Sequence, residues 1–465
     1  MKIYFMGICG TAMGNVAAML KEANHEIIGS DNAFYEPMKS VLENANIECL
    51  KGYSAKRLKE IKPDLVVIGN AQSRMNEEVE YLLSSKEIPF TSLAQLISEE
   101  VIKNRDCLVV SGTHGKTTTT SMSTMLLKQH YANCGYLIGG LIQGFKSGAN
   151  LGSFAEPFVI EGDEYDTAFF DKRSKFIHYK PKVLIINNIE FDHADIFRDI
   201  IDVKRTFSHV RRIVSGNGLI IENADDTNID SLENTPWVKC IKVGFRAGAD
   251  LQIQNFKEEE DFTSFDLVNK FQRKTISWNL PAQYNARNAA MAIAGVASIL
   301  GKQDCLDIDI SPLLNFKGVK RRQEILHKSD KVVIIEDFGH HPTAIKNTIL
   351  SMRNKYAKRK IIACFEPRSN SSRTNVFQDD FANSLSLADE ICIGKIQNLE
   401  KIPLEKRIDL DKMSEVANKQ INAFTDNQEL LKHIENTINN QESSCVIFFS
   451  NGSFDAIQHS DCLKI

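Results

Sequence analysis

At 465 residues, with 43% apolar and 25% charged side chains and a formal charge of −4, the chain has a globular composition and is too long for a single hydrophobic core. At roughly 150 residues per domain it accommodates about three domains, and its slight acidity excludes the basic face that nucleic-acid binding requires. No apolar run approaches the ~20 residues of a membrane helix, and ten scattered cysteines without a C-x-x-C pair read as reduced thiols of a cytoplasmic protein.

The first predicted element is a strand at "KIYFM" (2–6), followed by the glycine-rich turn "GICGTAMG" and a helix ending near Asn24. Gly7, Gly10, Gly14 and Asn15 break the opening run, which is therefore a strand and turn and not a signal peptide. With further strands at "EIIGSD" and "PDLVVIGNA", residues 1–104 are expected to form an open parallel sheet with helices. The turn is a candidate anion site. Cys9 stands where G-x-G-x-x-G has its second glycine, and Asp31 ends the second strand where a dinucleotide fold places an acid for a ribose hydroxyl. A nicotinamide or other diphosphate nucleotide fits such a turn, and so does simple packing of the helix.

A second region, 105–312, opens with "CLVVSGTHGKTTTT", a strand, loop and helix in the order of a phosphate-binding loop. The first glycine of G-x-x-x-x-G-K-[ST] would fall at position 110, which is Val110. The physics survives that loss. Curled main-chain N–H groups, the positive end of a helix, Lys116 for the outer phosphates and the Thr117 hydroxyl for Mg²⁺ are all present. Two later runs, "FVIEGDEYD" and "KVLIINNIEFDHADIF", end in acids, amides and histidine at the strand ends where a parallel sheet binds ligands. Glu161 is the best carboxylate for the cation, with Asp163 and Glu164 beside it; His193 suits a second cation, a phosphate oxygen or a structural hydrogen bond. After Gly216 the chain becomes polar and strand-like, then returns to an alanine-rich helix at 285–300.

The third region, 313–465, repeats the open α/β recipe with four buried strands in "KVVIIEDFGHHPTAI", "KIIACFEPRSN", "ADEICIG" and "SCVIFFSNGSF". Asp337, His340 and His341 fall at a strand-to-helix turn, where local capping competes with a ligand role. Arg368, Ser369, Asn370 and Arg373 make a donor-rich turn suited to carboxylates, or a solvated surface.

Taken together and in order, "GICGTAMG", "GTHGKTTTT", "EGDEYDTAFFDKRSKF", "NNIEFDHADIF", "FKGVKRRQE", "DFGHHPTAI" and "EPRSN" resemble the Mur ligases of bacterial cell-wall synthesis over essentially the whole chain. The resemblance implies a Rossmann-like domain for a UDP-sugar, a central P-loop ATPase domain and a Rossmann-like C-terminal domain that closes over ATP and the incoming amine. It carries the UDP-sugar onto Gly7, Cys9, Gly10, Thr11, Ala12, Met13, Asp31 and Asn70. ATP falls to Gly112, Thr113, His114, Gly115, Lys116, Thr117 and Thr118, with Thr117, Glu161 and His193 on Mg²⁺ and Lys116, Glu161 and His193 as the catalytic set. The family string G-x-H-N-x-x-N lies at "AQYNARN", which keeps Asn285 and Asn288 for the nucleotide but has Ala282 and Tyr284 for the glycine and histidine. Arg322 and Asp337 match ATP contacts, and Ser208 stands where several members carry a carbamylated lysine, so no carbamate is expected.

Within the family, "EYDTAFFDKRSKF" and "EPRSN" are similar to the branch that joins the tripeptide L-Ala-γ-D-Glu-meso-diaminopimelate to UDP-N-acetylmuramate in peptidoglycan recycling. This puts the peptide on Arg368, Ser369 and Asn370. The L-alanine-adding branch is the alternative, and a non-enzymatic nucleotide sensor holding NAD at Asp31 is the alternative from another class. The expected partners are small molecules, with no nucleic acid and no membrane insertion, on a monomer or weak homo-oligomer.

Overall fold

The computed structural model describes residues 1–440 and 443–463, and its strands fall into three main sheets that follow one another along the chain. The first has five parallel strands in the order Glu48–Lys51, Glu26–Asp31, Lys2–Met6, Leu65–Ile68, Phe90–Ser92. Its central strand runs Ile3, Tyr4, Phe5, Met6 without exposure on either face, as a strand covered by helices on both sides must. The reversal of strand order beside Lys2–Met6 opens a crevice at its C-terminal end, directly at Gly7.

The central sheet has ten strands and is mixed. Cys107–Ser111 sits inside it between Phe158–Gly162 and Val183–Ile186, both parallel to it. The register pairs Val110 with Glu161 on one side and Ile185 on the other, so the ends of all three strands open onto one place. Val110 is wholly buried in that ladder, and the turn begins only at Gly112. The polar stretch after Gly216 forms Leu219–Asn223, Lys239–Gly244, Leu251–Glu258, Thr263–Val268 and Arg273–Trp278. The alanine-rich helix spans Gln283–Ile299, with small side chains that let it pack closely on the sheet.

The C-terminal sheet has six strands where sequence patterning shows four. The additional ones are the edges, Glu324–Lys328 and Ile421–Ala423. Both are half-exposed and one is three residues long, so neither carries the β-branched run by which a buried strand is recognised. Its two faces carry separate apolar cores, one around Phe365, Phe381 and Phe449 and the other around Phe448, Phe454 and Ile434. The architecture is the expected three-domain α/β one, and among the described residues no helix is long and apolar enough to cross a membrane.

Candidate active site

A single cavity of about 1470 Å³ is lined by all three domains. Gly7, Gly10, Thr11, Ala12, Met13 and Asn70 reach it from the first sheet. Thr113, His114, Gly115, Lys116, Thr117, Thr118, Glu161, His193, Asn285 and Asn288 come from the central domain, and Arg322 and Asp337 from the third region.

The loop is shaped by what lies beneath it. Gly112 and Gly115 have φ of +129° and +81°, and a Cβ on Gly115 would meet Asn288 Oδ1 at 2.8 Å and Asn187 Nδ2 at 2.9 Å. Asn188 is the principal brace: its main-chain carbonyl accepts from Thr113 N–H at 3.1 Å, its Oδ1 accepts from His114 N–H at 2.7 Å, and its Nδ2 donates to His114 O at 3.0 Å. The helix Lys116–Lys128 then starts at Gly115 with no side-chain cap, leaving its first N–H groups to meet an anion.

The Lys116 ammonium donates to Gly112 O and to Glu164 Oε2, each at 2.7 Å. Burial alone would lower its pKa, but Glu164, Asp163 and Glu161 more than offset that and hold it raised, so Lys116 is a cation over the working pH range. Thr117 Oγ1 donates to Glu161 Oε2 at 3.3 Å, and Gly139 N–H donates to Glu161 Oε1 at 2.6 Å. Burial raises the Glu161 pKa against these bonds, leaving a carboxylate that a cation would stabilise. Hydroxyl and carboxylate are the oxygen donors Mg²⁺ prefers. A second donor set, Asp163, Glu164 and His193, has its ligand atoms within 4.8 Å of one another. His193 sits at φ +55° with Nε2 3.7 Å from Glu164 Oε1; burial lowers its pKa but Glu164 and Asp192 raise it further.

The third region enters beside the loop. Arg322 lies with its Nη2 3.5 Å from Thr117 Oγ1, stacked over Phe338 at 4.6 Å. Asp337 accepts from Gln323 N–H at 2.9 Å and Gly339 N–H at 2.7 Å, and burial raises its pKa. His341 caps the helix Pro342–Lys355 by accepting from Thr343 N–H, while its Nε2 lies 3.2 Å from Phe191 O of the central domain. Glu190 ties the same joint: it accepts from Thr343 Oγ1 at 2.6 Å and faces His114 Nε2 at 3.4 Å.

Other expected positions stand apart from the cavity wall. Gly112, where the loop begins, is buried and does not line the cavity. Cys9 is buried, and its N–H donates to Asp31 Oδ2 at 2.9 Å, so the Asp31 carboxylate closes the first turn from behind and does not face the cavity. Arg368 and Asn370 are exposed and do not line it; Ser369 Oγ donates to Ser372 Oγ at 2.9 Å, and Asn370 Oδ1 accepts from Arg373 at 2.9 Å. That turn is organised by its own side chains.

Sequence reasoning passed over Asn187, Asn188 and Glu190, which brace the loop and the domain joint, and the direct pairing of Lys116 with Glu164. Consecutive amides after a buried β-branched run were the available signal. Tyr284 lines the cavity with its hydroxyl 3.4 Å from Thr348 Oγ1, and Ala282 keeps a glycine-like backbone at φ 76°, ψ 138°. Ser208 lies on the helix Ile200–Arg212 and donates to Lys204 O at 3.0 Å.

A glycine loop leading into an uncapped helix with a part-buried lysine, two sets of cation donors and a second uncapped turn across the cavity define a nucleotide-using enzyme of three-domain α/β type. The chain belongs to the Mur ligase family: it matches the family models for the catalytic domain over residues 2–103, the middle domain over 110–296 and the glutamate ligase domain over 321–452. It is 41% identical over 394 residues to the UDP-N-acetylmuramate–L-alanyl-γ-D-glutamyl-meso-2,6-diaminoheptandioate ligase of Escherichia coli, covering 84% of each chain. The Haemophilus influenzae enzyme of the same name is 36% identical over 100% of this chain and 99% of its own. Among solved structures, the murein peptide ligase of Psychrobacter arcticus superimposes with a TM-score of 0.71 at 32% identity, covering 99% of this chain and 98% of that one.

Proposed function

We propose that the protein is an ATP- and Mg²⁺-dependent ligase that joins L-Ala-γ-D-Glu-meso-diaminopimelate to UDP-N-acetylmuramate. The observation that carries the reading is the placement of the Lys116 ammonium, held by Glu164 and Gly112 O, in one cavity with the uncapped first turn of the N-terminal domain. The identity of the relatives supports the tripeptide as acceptor.

A carboxylate resists attack by an amine, so it must first gain a leaving group. A carboxylate oxygen of the sugar's lactoyl arm attacks the γ-phosphorus of ATP, the bond to the β-phosphate oxygen breaks and ADP leaves. The peptide's α-amine then attacks the acyl carbon, the carbon–oxygen bond to phosphate breaks, and phosphate departs as the nitrogen loses its proton. Mg²⁺ held by Thr117 and Glu161, with a second ion at His193, would supply positive charge to the phosphoryl oxygens. The chain's own work is positional. The N–H groups of Gly115–Thr118, at the uncapped start of the helix, hold the phosphates, Lys116 neutralises charge that grows on the γ-phosphoryl oxygens, and Arg322 and Asp337 bring the C-terminal domain over the nucleotide. The turn at Gly7–Met13 and Asn70 hold the UDP-sugar, and Arg368, Ser369 and Asn370 receive the peptide where it enters.

An acceptor panel tests the reading. With ATP and UDP-N-acetylmuramate, the tripeptide yields a UDP-linked product by mass and stoichiometric ADP, while free L-alanine yields little of either. Efficient turnover of L-alanine alone would assign the chain to the L-alanine-adding branch, whose members match it at lower identity. Absence of ADP release with any acceptor would contradict ligase activity altogether.

A further inference from the structure

Away from the cavity, the C-terminal sheet brings together three side chains that the ligase reaction does not use. Glu390 and Cys392 lie two apart on the strand Glu390–Ile393, so both point to one face. His433, on the helix Asn427–Asn439 that covers that face, has Nε2 2.6 Å from Glu390 Oε1. Cys392 Sγ is 3.9 Å from the same oxygen, and all three ligand atoms lie within 4.8 Å of one another. None of them lines the catalytic cavity.

We propose that Glu390, Cys392 and His433 form a binding site for a thiophilic divalent cation of the Zn²⁺ type, in a position separate from the catalytic cations.

The donor chemistry selects that class. One thiolate, one imidazole and one carboxylate match the mixed soft and borderline donors zinc takes, and three protein ligands leave a fourth position for water. Mg²⁺ has no affinity for such a set. In a tetrahedral site with bonds of about 2.0–2.3 Å the donors sit roughly 3.3–3.8 Å apart, so the cation needs His433 to draw back from Glu390 by about 1 Å. The His433 side chain is 34% exposed and free to do so, which also gives the ion its route in.

The surroundings supply the supporting bonds a metal site requires. Lys360 donates to Glu390 Oε2 at 2.6 Å and Asn422 Nδ2 to Oε1 at 3.3 Å, which together orient the carboxylate with Oε1 facing Cys392 and His433. Cys364 lies directly opposite Cys392 on the neighbouring strand, which places a second thiol beside the proposed ligand. Phe424 packs on the imidazole at 5.2 Å. In the metal-free protein, hydrogen bonding from Cys364 and then the approach of His433 hold the Cys392 thiol below its ordinary pKa, while Cys392 and Glu390 hold His433 above its own.

Co²⁺ is the probe, because oxygen and nitrogen donors at the catalytic sites give no thiolate-to-cobalt charge-transfer band. Full-length protein stripped with chelator and kept reduced should develop that band in the near ultraviolet on titration with Co²⁺, saturating stoichiometrically and bleached by Zn²⁺. Cys392→Ala should abolish it. His433→Ala, at a half-exposed helix position that leaves the fold intact, should weaken Co²⁺ binding at least about tenfold. No band in the wild type, a band that survives in a folded Cys392→Ala protein, or unchanged affinity in His433→Ala would each overturn the site. These readouts need no ligase activity, so they stand or fall independently of the proposed reaction.

Discussion

The turn after Lys2–Met6 and the loop after Cys107–Ser111 share one construction: a buried parallel strand, a glycine turn, then a helix whose first N–H groups have no side-chain cap. Both open onto the same cavity. What differs is the company each keeps. Every first-domain residue lining the cavity is uncharged, among them Thr11, Asn15, Asn70 and Gln72, and the nearby acid, Asp31, is tied to Cys9 N–H behind the turn. The loop is ringed by Lys116, Glu161, Asp163, Glu164 and His193. Backbone geometry leaves both turns with uncapped helix N–H groups that suit an anion. Only the one surrounded by the Lys116 ammonium and cation donors is built to lower a barrier for phosphoryl transfer; the other is built to hold its ligand.

The sharpest test of that contrast is Lys116→Met, expected to lower kcat by on the order of 10³-fold or more in a coupled ADP-release assay. It should also lower Tm, because Glu164, 2% exposed, is left with His193 as its remaining cationic neighbour. Glu161→Gln should cost on the order of 10²-fold in kcat and shift the Mg²⁺ titration to higher concentration. On the uncharged side, Asn70→Ala should raise KM for the UDP-sugar about tenfold with kcat unchanged. A fall in kcat equal to that of Lys116→Met would erase the distinction between the turns.

Two smaller effects probe the walls around the loop. His340, desolvated in the cavity wall, has its pKa pushed down from 6.5 to about 4. The unfolded chain therefore binds that proton first: the stability from keeping His340 neutral is full above pH 6.5 and is lost as pH falls toward 4. Denaturant midpoints should decline over that window in the wild type, and decline less in His340→Asn. Ala282, at φ 76°, is strained, so Ala282→Gly should stabilise the protein by about 1 kcal/mol by denaturant unfolding.

Much of this was legible in the sequence because buried parallel strands write themselves as β-branched runs and phosphate loops as fixed glycine spacing. Val110 is the instructive case: a motif reading asks for glycine there, yet the residue is simply the fourth of a five-residue strand paired on both sides. Less was legible where a side chain works through a distant partner. Asn188 and Glu190 act on residues about 74 and 153 positions away, distances that leave no local periodicity. Asp31 shows the converse, a position whose spacing suits a ribose hydroxyl but whose carboxylate is already engaged by the turn itself. The edge strands Glu324–Lys328 and Ile421–Ala423 escaped because half-exposed edges lack the apolar pattern of buried ones.

The account rests on the loop driving phosphate onto the sugar's carboxylate before the amide forms. The direct measurement uses UDP-N-acetylmuramate labelled with oxygen-18 in its lactoyl carboxylate, ligated to the tripeptide with unlabelled ATP. Phosphate released during turnover should carry one oxygen-18 atom per molecule by mass spectrometry, and the amide product the other. Product formed at the normal rate with unlabelled phosphate would contradict it.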